Sequence, residues 1–485
     1  MSNLNIVISF LPIVVLLVLS LWRGVRAGVF AGAAVTAILF FLAGHALSTF
    51  AAILFSALVG TLNILMIIFG AVFLYDVMAQ KGLIAEISAS LNEIHPDRNF
   101  RFYFLAFFLT AFFESVAGFG TPGAIVPLLL IAMGYDAVIS IAVVLLIDGF
   151  FAMSGAIGTP VTAAFEGAMA IDSDAVKAIY GYAALIITVA ATGIMVFIQR
   201  FVNYSSGDSM FRHGWILFAA IMIPFMVLAA FTRELTGILA SLVMALTAYL
   251  FLFKNRKLAW KPWAPYWLLI GLLLLPKLFP WFSQLLAFKV EFNNLIGTDV
   301  SASMQPFRSP LIPFLVAALF ALYRENDFTI NIKPVVTRTY TVFIVLFPSL
   351  VITQLMLVKS PTNPSMVEGI SSVFVTTRDF YPIVGPLLGV IGAFISGSTT
   401  VSNLIFGSAQ LSAAQTLGLN SEVILALQLA GASLGNAVCL FNIIAAAAVA
   451  GVKDYKRILT LNLLPVAVAC AIASAVGYIL LRGGE

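Results

Sequence analysis

A chain of 485 residues that is 62% hydrophobic and only 9% charged, with mean hydropathy +1.08, cannot assemble a water-exposed surface of ordinary polarity, so the bilayer is its expected solvent. Its 25 Lys and Arg exceed its 21 Asp and Glu only slightly and are scattered through short loops, which argues against a nucleic-acid partner. Cys439 and Cys470 lie in apolar runs without CxxC spacing, and His45, His95 and His213 form no HExxH, so disulfide scaffolds, bound metals and zinc peptidase chemistry have no support and no cofactor is expected.

Taken in chain order, the first apolar run, Val7 to Leu21, has no Lys or Arg ahead of it and is followed by Arg23 and Arg26. It reads as a retained helix and not as a cleaved signal. Runs long enough to span a bilayer lie at about 6 to 22, 26 to 46, 49 to 79, 179 to 199, 212 to 231, 235 to 253, 264 to 286, 309 to 323, 339 to 358 and 458 to 481. Positive residues mark the cytoplasmic loops: Arg23 and Arg26; Lys81, Arg98 and Arg101; Arg200 and Arg212; Lys254, Arg256, Lys257 and Lys261; Arg324, Lys333 and Arg338; Lys453, Lys456 and Arg457. Both termini are then extracytoplasmic, in a prokaryotic plasma (inner) membrane. No polar segment is long enough for a soluble domain, which argues against chemistry outside the bilayer.

On this assignment the amphipathic stretch Gly82 to Asn92 is cytoplasmic and a similar stretch, Ser365 to Val375, lies on the opposite side. Each follows a long apolar run and precedes a long segment broken by Gly, Ser, Thr and Pro, at a separation of roughly 280 residues, as Gly155 and Gly435 show. Order, spacing and opposite charge bias predict an all-α polytopic membrane protein of two inverted repeats, with about 12 transmembrane helices and two re-entrant hairpins. The first repeat covers 1–205 (hairpin 100–134, broken helix 137–171), connecting membrane helices cover 206–261, and the second repeat covers 262–485 (hairpin 382–417, broken helix 422–451). Three full crossings in each half satisfy the same parity, in which case the Gly-rich turns are surface loops.

Thr121-Pro122 and Thr159-Pro160 predict two helix starts, because Thr is a good N-cap and Pro suits the first helical position, where the missing N–H costs nothing. A helix start within the bilayer presents free N–H groups and the positive end of a dipole, which attract a carboxylate or phosphate. In the second half Ser398, Thr399 and Thr400 can cap a returning arm in the same way, with Ser402 and Asn403 adding hydroxyl and amide groups. Small residues at these places also serve tight helix packing without any ligand. Glu114, Asp148 and Glu166 lie inside the interrupted segments of the first half, and no Lys or Arg lies in either core. A substrate anion would meet these acids unless they are protonated or bound to a cation. Burial disfavours the charged form of a carboxyl, so proton symport is the simplest scheme. Sodium held by carbonyls at the breaks is the alternative, and each acid, Glu166 above all, can instead be a neutral hydrogen-bonded structural side chain or one beside a water-filled vestibule.

Glu114-Ser-Val-Ala-Gly-Phe-Gly-Thr-Pro-Gly123, followed by Gly155-Ala-Ile-Gly-Thr-Pro160, resembles the signature of the L-lactate permease family. Gly397-Ser-Thr-Thr-Val-Ser-Asn403, and Gly431-Ala-Ser-Leu-Gly-Asn436 with Asn442, resemble its later motifs, so the likeness covers nearly the whole chain. The resemblance implies proton-linked uptake of L-lactate, often also of glycolate or D-lactate. It further implies an elevator-type transporter in which a hairpin-bearing domain moves against a scaffold, with a homodimer as the expected assembly. Gly120, Thr121, Thr159, Ser398, Thr399, Thr400, Ser402, Asn403, Asn436 and Asn442 are the candidate binding residues, and Glu114, Asp148 and Glu166 the candidate proton carriers. Two positions depart from the family's pattern: Thr399 stands where Asp or Asn is common, and Asp148 where Asn is common. The rival readings are an exchanger of other organic anions and a membrane enzyme using Glu114 and Asp148. The enzyme reading has no catalytic motif behind it.

Overall fold

The computed structural model describes residues 3–91, 93–118, 120–206, 211–254, 260–307, 309, 311–359, 364–377 and 380–482. Arg256 and Lys257 of the expected cytoplasmic loop, Asn92 of the amphipathic stretch and Phe119 of the first hairpin therefore lie outside the described residues. The helices run, in chain order, α1 (Asn3–Arg23), α2 (Val25–Leu42), α3 (Leu47–Gln80), α4 (Leu83–Leu91), α5 (Arg98–Ala117), α6 (Thr121–Ala132), α7 (Ala137–Phe151), α8 (Gly155–Val161), α9 (Ser173–Ser206), α10 (Phe211–Leu228), α11 (Thr236–Phe251), α12 (Ala264–Leu278), α13 (Pro280–Leu285), α14 (Leu311–Arg324), α15 (Lys333–Leu357), α16 (Met366–Val375), α17 (Tyr381–Ser396), α18 (Thr399–Leu417), α19 (Ser421–Gly435), α20 (Leu440–Val449) and α21 (Tyr455–Arg482). Six stretches among the described residues are long and apolar enough to cross a membrane: 98–117, 137–168, 173–202, 333–357, 421–447 and 455–482. Helix α6, with 12 residues, is only about 18 Å long against a hydrocarbon core of about 30 Å.

The chain divides into two compact units that interleave in sequence. One contains residues 47–101 and 252–347. In it α14 packs along α3, whose 34 residues extend about 51 Å and so exceed the hydrocarbon thickness. A small antiparallel ribbon, β1 (Val290–Phe292) and β2 (Ala302–Met304), lies against this long helix, through Asn63 Nδ2 to the Ser303 carbonyl (2.8 Å) and the Phe55 ring edge-on to Phe292. The all-α expectation did not include this ribbon, because two three-residue strands are too short to show a period-2 pattern. Beyond the opposite end of α3, Lys81 Nζ meets Asp327 Oδ2 at 2.5 Å, and this ammonium, with the Thr329 hydroxyl, holds the Asp327 carboxyl below the usual carboxylate range.

The other unit contains residues 1–46, 102–251 and 348–485 and holds every interrupted segment. Its helix starts are set by local chemistry. Asp136 Oδ1 accepts from Ile139 N (2.9 Å) at α7, and Asn420 Oδ1 accepts from Glu422 N and Val423 N at α19. Lipid tails are as apolar as Leu, so close packing and hydrogen bonds, not hydrophobic exclusion, must hold such helices together. Helix α17 meets α19 along glycines: a methyl added at Gly431 would fall 2.0 Å from the Pro386 carbonyl oxygen, and one at Gly389 2.4 Å from that of Gln428. Helices α7, α20 and α21 share a cluster of Ile141, Leu145, Ile443, Ala446 and Ile458.

Two of the long apolar stretches in this unit, 137–168 and 421–447, are interrupted. After α7 the chain makes a 3-10 turn (Ala152–Ser154), then three left-handed residues, Ala156, Ile157 and Gly158, with φ of 43°, 57° and 74°, and continues as a π-helical stretch (Thr162–Ala168). After α19 comes a 3-10 turn (Asn436–Val438) and then α20. The two 3-10 turns start 284 residues apart (436 less 152). Gly158 cannot be replaced cheaply, since its φ is left-handed and an added methyl would stand 3.1 Å from the Arg233 carbonyl oxygen.

The glycine contact between α17 and α19 carries a direct test. Gly431→Ala is expected to lower stability by about 2 kcal/mol or more through overpacking, whereas Gly271→Ala, with open space around it, should change it by less than about 1 kcal/mol. Thermal unfolding in detergent, followed by size exclusion, checks both.

Candidate substrate site

A partly open pocket, with about 330 Å³ of atom-free space counting the solvent it opens to, lies in the interrupted unit, lined by Glu114, Gly120, Ala152, Gly155, Pro160, Gly397, Ser398, Thr399, Thr400, Asn436 and Asn442. Its wall thus comes from both breaks and from the turns that open α6 and α18. No Lys or Arg is among the described residues that line it.

The start of α18 is the best-built part of the wall. Ser398 is its N-cap, with extended backbone and Oγ accepting from Val401 N at 3.3 Å. As first-turn positions, Thr399 and Thr400 have N–H groups without an intrahelical acceptor, next to the positive end of a 19-residue helix. Facing it, Asn436 Nδ2 donates to Thr399 Oγ1 (3.1 Å), and Asn442 Nδ2 donates to the Asn436 carbonyl (3.4 Å).

The two threonines of the first half behave differently from their expected capping role. The N-cap of α6 is Gly120, in the left-handed conformation at φ 73°, and Thr121 is already the first helical residue. The αL geometry at Gly120 closes a tight turn in which Thr121 N donates to the Gly118 carbonyl (3.1 Å), so no side-chain cap is needed. Thr159 Oγ1 donates to the Ala156 carbonyl (2.6 Å), consuming its proton inside the left-handed turn, so it satisfies a carbonyl where a cap would accept from an N–H. Neither Thr121 nor Thr159 is part of the cavity lining, while their neighbours Gly120 and Pro160 are.

Ser402 and Asn403 also lie behind the wall. Ser402 Oγ donates to the Gly389 carbonyl (2.8 Å), and Asn403 Nδ2 donates to the Pro160 carbonyl (3.1 Å), tying the second hairpin to the first break. Gln428 Nε2 reaches the Ser402 carbonyl and Oγ and Asn403 Oδ1 at 3.2 to 3.4 Å, and its Oε1 accepts from Gln410. Ser433 accepts from Met153 N and donates to the Gly149 carbonyl, each at 2.9 Å, so a residue of α19 closes the end of α7. Asn462, a lone amide in the apolar helix α21, donates to the Ala437 carbonyl (2.8 Å). Sequence reasoning did not single out Gln410, Gln428, Ser433 or Asn462; the signal was present as amides and a hydroxyl in otherwise apolar spans.

Of the three acids, two come together. Glu114 and Asp148 are 4% and 2% exposed and stand close together, with Glu114 Oε2 and Asp148 Oδ1 lacking a hydrogen-bond partner among the described residues. Two buried carboxylates side by side repel each other, so the pair favours carrying at most one negative charge. Glu114 faces the cavity and Asp148 stands behind it. Glu166 is elsewhere: it is ion-paired with Arg233, half-exposed and outside the lining. The pairing partner comes from the 229–235 turn, which the absence of cations from the interrupted cores did not reveal.

A family model described as L-lactate permease matches residues 5–482. The chain belongs to the L-lactate permease family. It is 28% identical over 393 residues to the L-lactate permease of Streptococcus iniae (75% of this chain, 80% of that one) and 24% identical over 429 residues to that of Halalkalibacterium halodurans (81% and 80%). With the Bacillus subtilis L-lactate permease the identity is 25% over 468 residues (81% and 80%). No solved structure matches. Membership makes this multi-pass membrane protein a permease and not an enzyme, and it agrees with the motifs on which the resemblance rested.

The bonds across the breaks predict a separation of roles. Ser433→Ala leaves Met153 N–H without its acceptor and should lower stability by about 1–3 kcal/mol, while Ser398→Ala should cost about 1 kcal/mol as a lost cap and act mainly on substrate affinity. Thermal unfolding together with the KM for uptake separates the two.

Proposed function

We propose that this permease is a secondary active transporter of a small monocarboxylate, L-lactate foremost, with glycolate and D-lactate as further substrates, moved together with a proton. The observation that carries the reading is one cavity whose wall joins the capped start of α18 to the buried carboxyl of Glu114. The substrate carboxylate docks at the Thr399 and Thr400 N–H groups and the Ser398 and Thr400 hydroxyls, where helix dipole and free donors favour an anion. With no lining Lys or Arg to neutralise it, the anion is tolerated beside Glu114 when a further proton makes the carboxyl pair neutral. Loading the proton favours substrate entry, and releasing both on the other side restores the negative pair.

Two further parts of the reading concern architecture. The recurrence of the interruptions and hairpins at about 280 residues supports two inverted repeats. The gathering of all interrupted segments in one compact unit supports an elevator motion of that unit, with the 47–101 and 252–347 unit as scaffold of a homodimer. The protein sits in a prokaryotic plasma membrane with both termini extracytoplasmic. The family name of these relatives supports lactate as first substrate.

Purified protein in proteoliposomes should accumulate labelled L-lactate under an imposed proton gradient in sodium-free buffer. Glu114→Gln should reduce accumulation to the equilibrium level yet leave lactate counterflow measurable. Accumulation that follows a sodium gradient alone, or counterflow without gradient-driven uptake in the wild type, would replace proton symport by the sodium-coupled or exchange schemes.

A further inference from the structure

Asn436 lines the cavity, is 6% exposed and divides its amide between two tasks. Nδ2 donates to Thr399 Oγ1 at 3.1 Å. Oδ1 is buried and has no hydrogen-bond partner among the described residues. Which way an amide faces follows from its partners, and here the partner decides it. The single hydroxyl proton of Thr399 goes to the Ala432 carbonyl at 3.4 Å, so Thr399 Oγ1 meets Asn436 as an acceptor. The amide turns its nitrogen toward Thr399, and its oxygen is left without a partner beside the cavity that Asn436 lines.

Resting on the monocarboxylate reading above, we propose that Asn436 Oδ1 reads the 2-hydroxyl of the substrate and that Thr399 is the positioning residue that keeps this acceptor facing the site. The carboxylate at the start of α18 and a hydroxyl one carbon away match the two functions of the wall: N–H and O–H donors at Ser398 to Thr400, and one free acceptor on Asn436. A 2-hydroxy acid donates to that acceptor. A 2-oxo acid sets a carbonyl oxygen against it, and an acid without a 2-substituent leaves it unpaired, which is costly in a buried site. If Thr399 loses its oxygen, the amide is released, can turn by half a rotation and presents Nδ2 to the cavity, where it suits a 2-oxo acid.

The test measures competition by unlabelled L-lactate, pyruvate and propionate against labelled L-lactate in proteoliposomes, for the wild type, Thr399→Val, Thr399→Ser and Asn436→Ala. The wild type should prefer lactate over both other acids by at least about tenfold. Thr399→Val, isosteric but without the hydroxyl, should lower the lactate-to-pyruvate preference by about tenfold or more, and Thr399→Ser should restore it. Asn436→Ala should bring lactate and propionate close to parity. Size exclusion identifies any variant that fails to fold, and the wild-type competition series remains decisive in that case: no preference for lactate over propionate overturns the proposal. An unchanged lactate-to-pyruvate ratio in folded Thr399→Val also overturns it while leaving monocarboxylate transport standing. A wild type that moves none of the three acids overturns both readings.

Discussion

Every backbone N–H and C=O that a helix break exposes in an apolar medium must find a partner within the protein, because each unpaired group costs several kcal/mol there. The interrupted unit is organised around this demand. The end of α7 is closed by Ser433 of α19, the Pro160 carbonyl takes the amide of Asn403 from α18, and the Ala437 carbonyl takes that of Asn462 from α21. Each break is therefore completed by a side chain from a distant part of the chain. The first interruption thus depends on side chains from the second half of the chain, which gives the short polar residues in these greasy helices a structural purpose.

Some of the polar groups left unpaired line the candidate cavity. The first turn of α18 lines the cavity, Asn436 Oδ1 has no partner among the described residues, and the Glu114 carboxyl stands near that of Asp148. Donors for a carboxylate and a group that can carry a proton thus stand on one wall, without a fixed cation. A guanidinium in such a place would hold an anion tightly; dipoles and hydroxyls hold it in a form that can be released, which a carrier needs on both sides of its cycle.

Much of this arrangement was legible before any coordinates. Gly, Thr and Pro punctuation in apolar runs located both interruptions, and Ser398 was correctly read as a cap because an N-cap depends on residues only three positions away. The same local rule misplaced Thr121 and Thr159. There the chain turns through left-handed residues, so Gly120 takes the cap position and Thr159 spends its proton on Ala156. Local preference was overridden by a backbone path that contacts from elsewhere stabilise, such as the Arg233 carbonyl packed against Gly158. Glu166 was grouped with Glu114 and Asp148 because all three acids share one apolar region, but an ion pair with Arg233 takes it out of the site.

By itself the sequence determined that the chain is a helical membrane protein, where its helices break, and which family it resembles, because hydropathy, Gly and Pro punctuation and motif spacing are properties of neighbouring residues. Only the tertiary structure decided which polar groups are consumed by the fold and which are left for a ligand. Ser402 and Asn403 read like binding residues beside Ser398 and Thr400, yet they are occupied by Gly389, Gln428 and Pro160. A hydroxyl or amide has a fixed number of bonds to give, and its partners lie up to 284 residues away, so no local pattern could reveal how those bonds are spent.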